Sequence, residues 1–317
     1  MAAPQSLRVL CTRLVDYAGL FPPAKLDMPP AVEAYARHVR STHEWMLGAF
    51  ICPVSRLDEL SKAAAMVMPG TFATSGYREM ADDMPAWRIS AIIPAQDEAG
   101  VADAIETIDA FNEHHRKEEN GLAIVDAVEL KAAEPGFIDE TVELIPEDIR
   151  PFYEFDASGD VRGYVAALAG DSAAAKIRCG GVTADMIPSS AQIAAFIKAC
   201  NAGGVPFKAT AGLHHPIRSE HPLSYEDDAP RGVMHGFLNV FLGAALLRSR
   251  QVDEAGLVEM LEDGDAESFE FDDAGASWRG RSVDLSQLNK ARETFCVGYG
   301  SCSFDEPTAD LNALGLL

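Results

Sequence analysis

The sequence predicts an α/β chain closed into a (β/α)8 TIM-type barrel with a long insertion between strands 7 and 8. Three observations carry this. Short apolar runs rich in β-branched and aromatic residues alternate seven times with stretches of helical period, the mark of repeated βα units. The chain has 317 residues, and barrels commonly run to about 250 residues or more as one unit. An open sheet of that many strands would be large for this chain, and no GxGxxG turn follows the first strand. The expected organisation is a single barrel domain over 1–317, with 212–282 as an insertion of loop, apolar helix and hairpin.

The first strand is read from Leu14 to Phe21 and closes at Pro22-Pro23. Pro29-Pro30 opens a helix whose Val32, Tyr35, Ala36 and Val39 fall on one face. Trp45 to Cys52 is strand two, followed by a helix with Leu57, Leu60 and Ala64 on one side, and Met68 to Pro85 reads as an irregular loop. Strand three, Trp87 to Pro94, precedes a long helix from about Glu98 to Glu119; strand four, Leu122 to Lys131, precedes a short helix beginning around Pro135. Strand five is Arg150 to Phe155, with an Ala-rich helix after the turn 157–160. Strand six, Ala173 to Cys179, runs into Gly180-Gly181; the next helix, Ser189 to Ala202, stops at Gly203-Gly204, and strand seven is Val205 to Ala211. Two runs compete for strand eight, Ser268 to Phe271 and Phe295 to Gly300; the second is chosen because a helix-like 283–294 precedes it, which leaves 268–283 as a hairpin excursion. The apolar stretch Gly232 to Leu247 reads as a buried helix, with docking on another subunit of a homo-oligomer as the alternative. The acidic run Glu259 to Asp273 reads as solvated surface.

Lysine and arginine number 26 against 49 acidic residues, a net charge of −23. Nucleic acid and anionic membrane surfaces would repel such a molecule at long range, so neither is an expected partner. With 48% hydrophobic residues the chain has ample material for a core. It has no membrane-length apolar run, and its opening MAAPQSLRVLCTRL lacks the long apolar core and cleavage pattern of a signal peptide, so a cytoplasmic location is predicted. Six cysteines without a CxxC pair signal neither a disulfide framework nor a zinc knuckle.

A small barrel is filled by apolar side chains, so charges within its strands need explaining. Glu129 and Lys131 lie two apart, as do Lys176 and Arg178, and Lys208 and Thr210; Glu154 sits in FYEF. Period two places each pair on one strand face, and the apolar Ala175, Ile177, Cys179, Phe207 and Ala209 suit the face under the helices. The charged face is then the barrel interior. A buried ion-pair network is the bland reading; several charges converging at the C-terminal mouth favour a site, since ion burial costs several kcal/mol per group.

The chain resembles the class I aldolase barrels of the deoxyribose-phosphate aldolase type. LVDYAGLFPPA is similar to that family's first strand, AFICP to its second, IVDAVE to its acidic fourth, AAKIRCGG to the sixth with its Schiff-base lysine, PFKATAGLHHP to the seventh and VGYGSCS to the eighth. Where the family has small hydroxyl residues after the sixth-strand lysine, this chain has Ile177-Arg178-Cys179. Where the family's seventh strand carries a phosphate-holding Gly-Gly, Ala211-Gly212-Leu213-His214-His215 follow here, so the differences fall on the phosphate site and the substrate.

The chemistry expected is lyase chemistry of aldolase type on a small anionic carbonyl compound, with no cofactor. Lys176 forms an imine, Lys208 lowers its pKa as a neighbouring cation, and Glu129 or Asp126 moves protons; which lysine is the nucleophile stays open. Asp126 and Glu129 are an odd number of positions apart, so a regular strand cannot turn both inward; the resemblance favours Asp126, and place near the mouth favours Glu129. Lys131, Glu154, Arg178 and Thr210 are assigned to substrate binding, with Gly180 and Gly181 as backbone N–H donors and His214 and His215 from the following loop. Cys179 is assigned to packing. Two alternatives stand beside this: a metal-dependent hydrolase or lyase using His214 and His215 with Glu129 and Glu154, near His221 and His235, and a barrel that binds a small ligand without catalysis.

Overall fold

The computed structural model describes residues 3–70 and 84–317. Eight parallel strands close into a barrel: β1 (Val15–Tyr17), β2 (Leu47–Pro53), β3 (Trp87–Ile93), β4 (Ala123–Lys131), β5 (Arg150–Glu154), β6 (Ala174–Arg178), β7 (Phe207–Thr210) and, after the insertion, the run Cys296–Ser301. The last strand pairs with both β7 and β1, which closes the ring and makes this a (β/α)8 TIM-type barrel. Strand eight is therefore the 296–301 run.

The helices follow the local signals. The helix Met28–His38 has proline in its first turn and buries Val32, Tyr35 and Ala36. Ser190–Gly203 starts with a capping box between Ser189 and Gln192 and ends on left-handed Gly204 (φ +69°). Outward residues such as Tyr153, Ile177 and Phe207 pack under the helices in the main core. A small second cluster, Ala127, Phe152 and Ala174 with Val297, lies inside the barrel.

Several boundaries depart from expectation. β1 stops at Tyr17: Ala18 N–H bonds Ser301 O, and Phe21 N–H turns back on Ala18 O, sending Phe21 to Pro23 into the mouth. A helix unforeseen in the sequence, Gln5–Cys11, buries Leu7, Leu10 and Cys11. Most of the loop expected over 68–85, residues 71–83, lies outside the described residues.

Between β7 and the closing strand come an antiparallel pair, β8 (Ser219–Pro222) with β9 (Arg231–Met234), then the helices Phe237–Arg248 and Glu254–Leu261. The apolar helix begins at Phe237, later than Gly232, and is buried from Phe237 to Leu247. The expected hairpin is a three-stranded sheet of β10 (Phe269–Phe271), β11 (Gly275–Trp278) and β12 (Arg281–Asp284), followed by helix Leu285–Thr294 and the closing barrel strand, β13. The acidic run is largely solvated. Its exception is buried Asp263, which accepts from Trp278 Nε1 (2.8 Å) and pairs with Arg279 (2.8 Å). The tail forms helix Asp305–Ala313. Among the described residues no helix is long and apolar enough to cross a membrane.

Candidate active site

The register of the barrel brings the charged residues side by side. Lys131 pairs with Glu154, Glu154 with Lys176, Lys176 with Lys208, and Arg178 with Thr210. Arg178, Lys176 and Lys208 join Glu154, Glu129 and Asp16 in one chain of ion pairs. Arg178 Nε is 3.4 Å from Glu154 Oε1, and Lys176 Nζ lies 2.7 Å from both Glu154 Oε2 and Glu129 Oε2. Lys208 Nζ lies 2.5 Å from both Glu129 Oε1 and Asp16 Oδ2. Ser90 Oγ donates to Glu129 at 2.8 Å, and Ala49 N–H donates to Asp16 Oδ1 at 2.6 Å. A β-carbon on Gly48 would stand 2.0 Å from Asp16 Oδ1, so only glycine leaves room for that carboxylate.

This corrects the expected cation cluster. Carboxylates alternate with the cations, three of each, because adjacent ammonium groups out of water are tolerated only with counter-charges between them. Burial alone would raise the Glu129 carboxyl, but Lys176 and Lys208 outweigh it and hold it well below the usual carboxylate range. Burial would lower Lys208, but Asp16 and Glu129 hold it above the usual lysine range. Glu154 is likewise lowered by Lys176 and Arg178 against its burial. Lys208 is thus a fixed ammonium, and its influence on Lys176 passes through shared Glu129.

Access separates the two lysines. At the C-terminal ends of the strands, cavities of about 320 and about 610 Å3 are both lined by Glu129, Lys176 and Arg178. Lys131 and Glu154 line the second of them, and Thr210, Gly181 and His214 the first. Lys208 lines neither; it faces a different cavity at the opposite end. The mouth has an apolar wall of Phe21, Pro22, Ile51 and Ile92.

Asp126 is not brought to Lys176. The β3–β4 register shifts there, from Ile89↔Val125 to Ser90↔Ala127, so Asp126 is the extra residue of a bulge. It pairs with Arg88 at 2.5 Å and lines the far cavity. The bulge breaks the strict alternation of a regular strand, so the odd spacing of Asp126 and Glu129 does not decide which of them faces inward. Gly180 lines neither of these two mouth cavities and serves packing: a β-carbon there would lie 2.7 Å from Gly212 Cα where the two loops cross. Cys179 is buried, which pushes its thiol up to about 12, and fits packing.

The histidines do not join Glu129 and Glu154, whose oxygens are taken by cations. His214 Nδ1 donates to Glu306 (2.7 Å), while His215 Nδ1 donates to Asp310 (2.5 Å) and its ring stacks on His221. His235 lies apart, bonded to Pro188 O. No three metal-ligating side chains converge among the described residues. Asp16, Ser90 and Glu306 are the participants that sequence reading missed. Asp16 carried a usable signal, one charge between the outward Val15 and Tyr17 of β1.

No family model matches the chain, and no curated protein matches it. Among solved structures it is similar to a lysine/ornithine decarboxylase from Vibrio vulnificus, crystallised with cadaverine, at 11% identity and a TM-score of 0.34. The match covers 65% of this chain and 49% of that one, so the chain spans about half the length of that neighbour. A likeness that distant carries no chemistry across.

Proposed function

We propose that the chain is an enzyme acting on a small anionic carbonyl compound at the C-terminal mouth, by aldolase-type lyase chemistry through an imine on Lys176. The observation that carries this reading is access: of the two buried lysines, Lys176 alone lines the mouth cavities, one strand step below Arg178. Active sites of this barrel architecture sit at that end.

The substrate anion pairs with Arg178, which Glu154 holds at 3.4 Å. Losing that counter-charge raises the Glu154 carboxyl, which then takes a proton from Lys176. The freed amine attacks the carbonyl carbon and a C–N bond forms; one amine proton passes to the oxygen, Glu154 returns its proton to the same oxygen, and the C–O bond breaks to release water and leave the iminium. Glu129, fixed as a carboxylate, stabilises the iminium. The iminium draws the electron pair of the Cα–Cβ bond, which becomes the enamine C=C as the β-hydroxyl gives its proton to Glu154 and turns into the carbonyl of the released fragment; Glu154 then returns that proton to the enamine carbon, and water hydrolyses the iminium to free the second product and Lys176. The apolar wall favours a carbonyl acid with an apolar body over a polyhydroxylated sugar.

Borohydride reduction in the presence of small 2-oxo acids and aldehyde phosphates, with intact-mass analysis and peptide mapping, tests this. The expected result is a single adduct on Lys176. An adduct on Lys208 would overturn the assignment to Lys176, and none on either lysine with a compound that is turned over would sink the imine.

A further inference from the structure

We infer a second ligand site at the N-terminal end of the barrel, shaped for a small zwitterion of the amino-acid class. It stands apart from the chemistry proposed at the mouth. A cavity of about 620 Å3 enters there, within the roughly 300–1,000 Å3 usual for small-molecule pockets. Its depth comes from small interior residues, Ala49, Ala127 and Gly298, where barrels of this kind normally carry bulky branched side chains. Asp16 and Lys208 lie on its inner wall, already paired with each other.

Two buried polar atoms of residues lining this cavity have no hydrogen-bond partner among the described residues. One is Asp126 Oδ1; the bulge sets Asp126 on the cavity wall, and only its Oδ2 is used, by Arg88. The other is Nε of Arg292, a residue 8% exposed whose terminal nitrogens donate to Cys296 O and Thr12 O. One orphan is an acceptor and the other a donor. Buried polar atoms are ordinarily satisfied, so this wall carries unspent hydrogen-bonding capacity beside the open cavity.

The charges around them make the same demand. Beyond the pairs Arg88–Asp126 and Lys208–Asp16, the wall carries Arg13, Arg150 and Arg292, none within ion-pair distance of a carboxylate among the described residues. It also carries Glu147, Asp148 and Glu293, none within that distance of a cation. A plain anion would gain the guanidinium groups and meet three carboxylates without a counter-cation, of which Glu293 accepts from Asn289 Nδ2 (2.7 Å), and a plain cation would meet the reverse. A molecule with a carboxylate and an ammonium group answers both sets.

Calorimetric titration of the full chain with individual amino acids, with inorganic phosphate and pyruvate as comparison ligands, tests the site. The variants are Asp126→Asn, the exposed pair Arg13→Met with Arg150→Met, and Arg178→Met at the mouth. The expected result is saturable binding of at least one amino acid, weakened about tenfold by Asp126→Asn and by the Arg13/Arg150 pair and unchanged by Arg178→Met. The exposed pair keeps the test valid if Asp126→Asn fails to fold. Absence of amino-acid binding overturns the inference. So does binding that Arg178→Met abolishes and the Arg13/Arg150 pair leaves intact, or a site at Arg13 and Arg150 that takes phosphate or pyruvate and no amino acid.

Discussion

Glu129, only 2% exposed, bridges two ammonium groups, and the interior charge balance turns on it. Glu129→Gln removes the shared charge and leaves Lys176 and Lys208 facing each other with one carboxylate each. Breaking a buried pair this way costs about 3–5 kcal/mol, so the urea midpoint should fall sharply at unchanged slope; a midpoint equal to the parent's would mean the network contributes no more than surface pairs do. Arg178→Met should act differently: it is half-exposed, so stability should hold while KM for an anionic substrate rises about tenfold or more. Steady-state kinetics with one trapped substrate separates these outcomes. Much of this was legible at the residue scale, because Lys176, Arg178, Lys208 and Glu129 interrupt apolar strands at period two. What period two cannot give is pairing. Asp16 is 192 positions from Lys208, and only closure of the first strand against the last brings them together.

Elements were readable wherever local chemistry marks them and unreadable where tertiary packing decides. The helix Ser190–Gly203 announced itself by Ser189, Gln192 and the terminal glycines. Ser189→Ala should cost about 1 kcal/mol by loss of the cap and leave adduct formation at Lys176 unchanged; a loss of trapping would mean the helix start shapes the mouth. Gln5–Cys11 spans two turns, too few for periodicity to show, and β8 and β9 (SEHP, RGVM) carry little alternation. The bulge at Asp126 was invisible because it is a relation between β3 and β4. The loop crossing is also an element-scale feature: Gly180→Ala must push against Gly212 backbone, and overpacking of that kind costs about 1–3 kcal/mol. The variant should melt lower and trap less at Lys176, since Gly181 and Gly212 line the mouth; an unchanged melting temperature would show that the loops yield freely.

At the scale of the whole molecule, a surface that carries most of a −23 charge encloses a balanced interior of three carboxylates and three cations. Stability should therefore be widest around neutral pH. Glu129 is held below its ordinary range, so its contribution is complete above about 4.3 and is lost as the pH falls toward the depressed folded value. Lys208 is raised, so its contribution is complete below about 10.4 and is lost only as the pH climbs through the folded value. His38, 3% exposed, is pushed by burial from 6.5 to about 4, so the folded state resists its protonation and stability drains as pH falls between those values. Melting curves across pH should show a first decline below 6.5 that His38→Asn removes, and a deeper acid limb that Glu129→Gln flattens; coincident limbs in parent and variants would contradict these assignments. The barrel itself was legible at this scale from the count of βα units, and strand eight from the helix before it. The three-stranded sheet of the insertion was not, because its partners are fixed by antiparallel register (Phe269 opposite Trp278, Ala276 opposite Val283) that composition does not record. Carbonyl chemistry at the mouth is tested most directly by a crystal structure of the protein soaked with a small 2-oxo acid. The prediction is continuous density from Lys176 Nζ into the ligand with its carboxylate on Arg178; density joined to Lys208, or a ligand held with no contact to Lys176, would contradict it.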